Sequence, residues 1–352
     1  MTQDITVHGH GIGSIMKEIS TQMEKRTDRN RLCMFPIADM ELYEKIITQL
    51  NVFWVPSIHK YENDKRDYDM LPRPISRVLD YINAQFASGD GIIINNISYR
   101  LMVTAVEPEE VVWYSTQGGI EAVHTIVYNL IINSLIHDDK RRRELFNAVN
   151  TIPCISAISN WMKEMTFSER PREEVLVAFA CGEGLLFPVS FIPIFYMRIK
   201  NKMQVMVDAN KDISRDESLH LDVAVILINR TNIDKGKIRE IVEEFTCLLF
   251  NYIEEMFLPI SSATHEELIG KDGTDFSDLR KEEMILFAKY NTDALLLRLG
   301  CKPIYNIHQD QLPSWILTLS CEHKNNFHER TSTNYVQASN VPENDDIEYD
   351  DL

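Results

Sequence analysis

The sequence has little glycine, proline and positive charge, and each shortage narrows the classes of fold and function. Its 352 residues include 13 glycines and 13 prolines, too few for the many tight turns of an all-β fold of this length. Asp and Glu number 53 against 36 Lys and Arg, which gives a formal charge of −17. A nucleic-acid binder needs concentrated positive charge, so we expect no nucleic-acid partner. Helices are the expected structure.

Paired cysteines, a leader pattern and repeated membrane spans are also missing. No two of the six cysteines have CxxC spacing, which argues against a zinc ribbon or a redox pair and favours a reduced, cytoplasmic protein. The start, MTQDITVHGH, lacks a secretory pattern. One apolar run, residues 175–197, has the length of a membrane span. It contains Glu183, Pro188 and Pro193, so we interpret it as a buried helix and expect no membrane partner.

Composition divides the chain into three parts. Residues 1–30 are polar and predict a flexible N-terminal arm, and residues 31–324 predict one all-α domain. Residues 325–352 hold seven acidic residues and one basic one, and they predict a disordered acidic tail because they cannot build a core. Apolar periodicity within the domain predicts helices at about 38–54, 72–98, 107–138, 140–166, 171–198, 203–230, 234–259 and 277–300.

Two histidines each follow a glutamate by three residues, as Glu121 with His124 and Glu217 with His220. At that spacing both side chains lie on one face of a helix. The first pair stands in GGIEAVHTIVYNLIINSLI, which is too apolar for a surface helix. Such buried groups must neutralise each other or bind a cation, because an unpaired charge in an apolar interior is costly.

Two further acids, Asp90 in AQFASGDGIII and Glu183, stand in apolar helices without a histidine partner. Asp90 precedes the first pair by 31 residues and Glu183 precedes the second by 34, as expected for antiparallel helix pairs. Four carboxylates and two imidazoles from four helices match the ligand set of di-metal carboxylate bundles. Zinc is disfavoured because it prefers four ligands and often thiolates. Buried ion pairs are the alternative interpretation.

Five segments carry a more specific pattern than these pairs alone. They are MFPI followed by Phe53 and Trp54, FASGDGIIINN, FNAVNTIPC, VAFACGEGLLFPVSF and SRDESLHLD. Together they resemble the small, radical-generating subunit of class I ribonucleotide reductase of eukaryotic or viral type, from about residue 33 to residue 330 and into the tail. The resemblance implies a ferritin-like helical bundle with a di-metal carboxylate site in its core.

The resemblance also implies cofactors and roles. Two iron ions, with manganese as the alternative, and dioxygen for activation would form a di-iron-oxo centre that generates a stable tyrosyl radical at Tyr128. Tyr128 lies about 6 Å beyond His124 along the helix and on the same face, although a lone tyrosine there would be interpreted as core. Phe187, Phe191 and Ile213 would line the radical pocket, and each fits equally well as ordinary core. The implied metal ligands are Asp90, Glu121, His124, Glu183, Glu217 and His220.

A relay would carry the radical from His124 through Asp216 and Trp54 to Tyr335 in the tail, with Tyr349 as the alternative. Asp216 suits this role because carboxylates orient metal-bound imidazoles. The ending IEYDDL resembles tails that dock on the large catalytic subunit. The implied activity is that of ribonucleoside-diphosphate reductase, which reduces ribonucleotides to deoxyribonucleotides only when both subunits are together. A cytoplasmic homodimer is expected.

The sequence departs from the family pattern without losing a ligand. His59 and Lys60 replace a usually acidic stretch after the tryptophan, Gly89 replaces a serine, and Gly118 and Gly119 precede the first glutamate. Two alternatives stay open. One is a ferritin-like di-metal oxidase with another substrate, and the other is a non-catalytic binding scaffold.

Overall fold

The computed structural model describes residues 31–319, and helices form nearly all of its regular structure. Within that range there is no β-strand, so the predicted all-α fold class is confirmed. The predicted arm, 1–30, and tail, 325–352, lie outside the described residues. Between residues 31 and 319, the ten helices of eight or more residues are α1 (Met40–Asn51), α2 (Arg73–Asn96), α3 (Pro108–Leu135), α4 (Asp139–Phe146), α5 (Pro153–Phe167), α6 (Arg172–Cys181), α7 (Phe187–Ile199), α8 (Gln204–Asn229), α9 (Lys235–Ser261) and α10 (Lys281–Arg298).

Prolines and aspartates set where helices begin. The Asp234 side chain accepts a hydrogen bond of 3.1 Å from the Lys237 backbone N–H and caps α9. Pro153 is the first residue of α5, a position that tolerates its missing N–H. The prediction of one helix over 140–166 is therefore wrong. A proline inside that helix would lose a backbone hydrogen bond and clash with the preceding turn, so a new helix begins at Pro153. Helix α4 has already ended at Phe146, and a four-residue helical turn, Ala148–Thr151, lies between α4 and α5.

The most apolar run of the sequence is a core helix. Arg172–Ile199 is long and apolar enough to cross a membrane, but 94% of its most apolar window is buried inside the fold. The interpretation of this run as buried helix is confirmed. It comprises α6, a π-helical turn at Gly182–Leu186, and α7.

The π-helical turn has a local cause and places Glu183 in the core. Pro188, two residues after the turn, has no N–H to donate to the Gly184 carbonyl four residues earlier, so one regular α-helical hydrogen bond is missing at this point. Gly184 also packs closely against α8: an added Cβ would lie 2.9 Å from Leu221 Cδ1, so the end of that leucine side chain would have to shift. Turns of this kind often occur at functional sites.

Two packed helix pairs form the centre of the bundle. Helix α2 packs along α3, and α6 and α7 pack along α8. Helix α8 also contacts α3, which joins the two pairs. The buried faces of these helices meet along one line, where the polar residues predicted as ligands lie.

Candidate metal centre

Four elements bring all six predicted ligands into the core. Helix α2 supplies one acid, α3 and α8 each supply a Glu and a His one turn apart, and the π-helical turn supplies the last acid. All six residues are buried, with exposures of 2% or less. The six residues are Asp90, Glu121, His124, Glu183, Glu217 and His220.

Two of the carboxylates, those of Glu121 and Glu217, each lie close to both imidazoles. Nδ1 of His220 lies 3.0 Å from Glu121 Oε1 and 2.8 Å from Glu217 Oε2. Nδ1 of His124 lies 3.0 Å from the other oxygen of Glu217 and 3.4 Å from the other oxygen of Glu121. Each of these glutamates thus presents one oxygen to each histidine, so both glutamates would help to hold the cations between the two imidazoles. Asp90 and Glu183 would supply further carboxylate oxygens to bound cations.

The residues fit two divalent cations. Ligand atoms of Glu121, Glu183, Glu217 and His220 all lie within 4.8 Å of one another. Both Asp90 oxygens and Glu183 Oε2 are buried without a hydrogen-bond partner, an arrangement that is costly unless a cation satisfies them. Four carboxylates also balance the charge of two divalent ions. Oxygen-rich ligand sets with two imidazoles suit iron and manganese.

Without metal, the centre holds extra protons. Burial raises the pKa of Asp90 well above its ordinary value, and the charge of Glu121 adds to this effect. Burial also raises the pKa of Glu183, with Glu217 adding to it. Burial alone would lower the pKa of His220, but Glu121 and Glu217 outweigh it and raise the pKa to about 9. Metal ions therefore replace protons when they bind.

We expect the metal-free protein to lose stability as the pH rises from about 6.5 to about 9. His220 binds its proton more tightly in the folded chain, where its pKa is about 9, than in the unfolded chain, where it has its ordinary pKa of 6.5. Its contribution to folding stability is therefore fully present below pH 6.5 and is lost as the pH rises to about 9. The full shift corresponds to about 3 kcal/mol, and the raised carboxyl pKa values of Asp90 and Glu183 act in the same direction. Thermal unfolding followed by circular dichroism with a chelator measures this loss. Metal-loaded protein is the control, and a flat or rising stability of the metal-free protein would contradict the expectation.

Tyr128 lies in a closed pocket beside the centre. It is fully buried, and its hydroxyl donates a 2.8 Å hydrogen bond to Asn210 Oδ1. Its ring stacks on Phe86 with centroids 4.5 Å apart and planes at 7°. Burial, with the charges of Asp90 and Glu217, raises the pKa of Tyr128 well above its ordinary value. The hydroxyl therefore stays protonated.

The two phenylalanines predicted to line the pocket contact a further aromatic ring, Phe86. The rings of Phe187 and Phe191 contact Phe86, at 5.4 and 4.9 Å between centroids, and Phe86 in turn stacks on the tyrosine. Ile213 is fully buried one turn after Asn210 on α8. Sequence reasoning missed Phe86 and Asn210, although their spacing was informative. They precede Asp90 and Glu217 by four and seven residues, which places them on the faces of α2 and α8 that carry these ligands.

A hydrogen-bonded chain leads from the centre toward the surface. Asp216 Oδ2 accepts from Trp54 Nε1 at 2.8 Å and lies 3.1 Å from His124 Nε2. Its other oxygen accepts from Gln49 at 3.1 Å and lies 3.4 Å from an Arg215 nitrogen. Burial alone would raise the pKa of Asp216, but the hydrogen bond from His124 and the charge of Arg215 outweigh it and lower the pKa. Asp216 is therefore a buried carboxylate that joins the two rings.

The departures from the family pattern lie around the site. His59 stands edge-on to Trp54, with ring centroids 5.8 Å apart, and its Nε2 lies 3.3 Å from Asp212 Oδ2. Gly118 and Gly119 have open space where a Cβ would lie, so packing does not require glycine there. At Gly89 a Cβ would lie 3.2 Å from a Gln85 side-chain nitrogen. None of these changes removes a ligand.

Both tail tyrosines, Tyr335 and Tyr349, lie outside the described residues.

Known proteins resemble this chain over most of its length. The family model described as ribonucleotide reductase, small chain, matches residues 31–313. One of the ribonucleoside-diphosphate reductase small chains of Arabidopsis thaliana is 31% identical over 313 residues, 88% of this chain and 89% of that protein. A small chain from Variola virus is 28% identical, covering 90% and 94%.

Solved structures show the same fold. The Rnr4 homodimer of ribonucleotide reductase from Saccharomyces cerevisiae has a TM-score of 0.70 and 17% identity, covering 89% of this chain and 99% of that chain. The dimanganese(II)-NrdF of Streptococcus sanguinis has a TM-score of 0.65 and 19% identity, covering 80% and 95%. The likeness confirms the predicted bundle, and the family match above decides the identity: this chain belongs to the ribonucleotide reductase small chain family.

Proposed function

We propose that this chain, as the small subunit of a ribonucleoside-diphosphate reductase, generates a tyrosyl radical at Tyr128 beside a two-metal centre. The large subunit would use that radical to reduce ribonucleotides. The observation that carries the proposal is the set of buried ligand atoms described above, in which Glu121 and Glu217 each face both histidines. An ordinary buried ion pair does not leave both Asp90 oxygens unpartnered.

The protein's own part in radical formation is placement and exclusion of water. Two redox-active ions, once bound, supply the activation of dioxygen that gives the power to oxidise a phenol. Tyr128 is a fully buried phenol on the helix that carries Glu121 and His124, one turn after the histidine. Its pocket contains the Phe86 ring, and the hydroxyl has one acceptor in Asn210. A phenoxyl radical formed there is kept from solvent, which favours a long lifetime.

Radical export would use the chain of hydrogen bonds at Asp216. Trp54 and His124 share one oxygen of this carboxylate, and Trp54 is 8% exposed. The tryptophan therefore stands between the buried centre and the surface. We propose Tyr335 as the next carrier, with Tyr349 as the alternative.

The choice between iron and manganese belongs to this proposal. We propose iron, because dioxygen must be activated to oxidise a phenol and carboxylate-histidine sites of this kind hold di-iron in helical bundles. Manganese is the alternative, since the solved relative from Streptococcus sanguinis is described as dimanganese(II).

Electron paramagnetic resonance tests the proposal most directly. Metal-free protein is given iron(II) without oxygen and then oxygen, and bound metal is counted in parallel. We expect about two irons per chain and a tyrosyl spectrum. Two irons without a radical would favour a di-metal oxidase with another substrate, and no bound metal would favour a binding scaffold.

We further propose that the acidic tail docks on the large subunit and that the small subunit acts as a cytoplasmic homodimer. The tail ends in IEYDDL, in which apolar residues alternate with acids. A synthetic peptide of residues 333–352 is expected to inhibit turnover of the assembled reductase by competing for the docking site. A peptide of the same composition in scrambled order is the control. Equal inhibition by both peptides, or by neither, would contradict tail docking.

A further inference from the structure

We propose that Asn210 is a positioning residue for Tyr128, and that its side-chain oxygen holds the phenol only while the phenol carries its proton. The inference rests on the proposed function, because it concerns the tyrosine assigned there as the radical site. The Tyr128 hydroxyl donates to Asn210 Oδ1 at 2.8 Å, and both residues are fully buried. Phe86 fixes the plane of the ring by stacking, so Asn210 fixes the hydroxyl end.

The orientation of the Asn210 amide is determined by its second contact. Its Nδ2 donates to the backbone carbonyl of Met206 at 2.8 Å, one turn earlier on α8. A carbonyl can only accept a hydrogen bond, so the nitrogen must lie on that side and the oxygen must face the phenol. Turning the amide over would place its oxygen against the Met206 carbonyl oxygen. The group facing Tyr128 is therefore an acceptor without a proton to give.

Only the reduced, protonated phenol can donate a hydrogen bond to Asn210 Oδ1; the oxidised phenoxyl cannot. Oxidation to a neutral phenoxyl removes one electron, which under the proposed function passes to dioxygen, and one proton. An amide oxygen is too weak a base to keep that proton, which leaves toward the carboxylates of the metal centre whose charges act on this phenol. The phenoxyl oxygen then has nothing to donate to Asn210 Oδ1. The contact thus stabilises the reduced phenol and gives no hydrogen bond to the radical.

Asn210→Leu tests this asymmetry, because leucine has similar volume and no polar atoms. The matched control is Asn83→Leu. Asn83 is also buried, and its Nδ2 donates to the helix carbonyl of Leu79 at 2.9 Å. Asn210→Ala, which adds no volume, replaces the leucine variant if that variant does not fold.

The first readout needs no metal. Carbon-13 in the tyrosine Cζ position reports the hydrogen bond of the phenol, and Tyr128→Phe identifies the resonance. We expect this resonance of metal-free protein to move upfield in Asn210→Leu and to stay in place in Asn83→Leu, because a phenol that loses its acceptor becomes less phenolate-like. An unmoved resonance in Asn210→Leu would overturn the contact.

The second readout is the radical itself in iron-loaded protein. We expect the g-tensor of the radical to be the same in Asn210→Leu and wild type, since neither phenoxyl receives a hydrogen bond at this position. We expect spontaneous decay of the radical to slow by up to roughly fivefold. Decay reduces the radical to the phenol, and in Asn210→Leu that phenol lacks the stabilising hydrogen bond, so the driving force for reduction is smaller. Faster decay would mean that Asn210 only seals the pocket, and a raised largest g-value would mean that it donates to the radical. Either result would overturn the inference.

Failure of the proposed function gives a different pattern. Wild-type protein would then bind no metal or show no tyrosyl radical, while the carbon-13 comparison would still decide whether Asn210 holds Tyr128.

Discussion

Tyr128→Phe is expected to bind its full complement of metal and to give no tyrosyl radical, with turnover in the assembled reductase falling to background. The substitution removes one oxygen atom from a residue that is not among the predicted ligands, so the centre keeps its carboxylates and imidazoles. Phenylalanine preserves the stacking on Phe86 but has no hydroxyl that can lose an electron and a proton together. Metal analysis, paramagnetic resonance and a turnover assay with the large subunit measure the three properties.

The matched control for this substitution is Tyr252→Phe. Tyr252 is also fully buried, and its hydroxyl lies 3.2 Å from the hydroxyl of Ser190. Both variants lose one buried hydroxyl group, which costs about 1 kcal/mol of folding stability when its partner can adapt. The cost in Tyr128→Phe is up to about 3 kcal/mol, because Asn210 Oδ1 is left without a donor. Only Tyr128→Phe is expected to lose the radical. A tyrosyl spectrum that persists unchanged in Tyr128→Phe would move the radical to another tyrosine.

Asp216→Asn is expected to leave the radical spectrum in place and to lower turnover with the large subunit by roughly 10- to 100-fold, the usual effect of losing a group that orients a metal-bound histidine. The shape of the side chain is unchanged, but one oxygen that now accepts from two rings loses its charge. The amide cannot accept from both Trp54 and His124 with the same strength. Turnover and radical content, measured on the same preparation, separate export from formation.

Asp212→Asn is the matched control for the relay. Asp212 lies one turn earlier on α8 and pairs with Arg215 and His59 at 3.3 Å, and Asp216 rather than Asp212 bonds to Trp54. The control removes a neighbouring carboxylate that is partly exposed, with 14% side-chain exposure against 0% for Asp216, and it leaves the hydrogen bonds of Asp216 to Trp54 and His124 in place. It is expected to retain most of the turnover. Equal losses in the two variants would show that net charge, rather than the hydrogen-bonded chain, explains the effect.

The sequence alone determined the class of the fold and the polar residues of the core. Apolar periodicity placed most of the helices, because a helix must bury one face. The six predicted ligands stood out because ionisable groups inside apolar helices need a partner. Helix breaks were harder to predict. Pro153 explains why α5 begins where it does, but the end of α4 at Phe146 and the short helix Ala148–Thr151 between them carried no comparable signal in the sequence.

Tertiary structure decided which atoms meet. Spacing along α3 and α8 places a Glu and a His on one face, but only the packing of these helices makes Glu121 and Glu217 each span both imidazoles. Local pattern likewise gave no reason to connect Asn210 with Tyr128, since 82 residues separate them. Contacts of this kind depend on how helix faces rotate against each other. The sequence therefore determined the set of reactive groups, and the packing of the bundle determined their pairing, because pairing depends on distances between residues far apart in the chain.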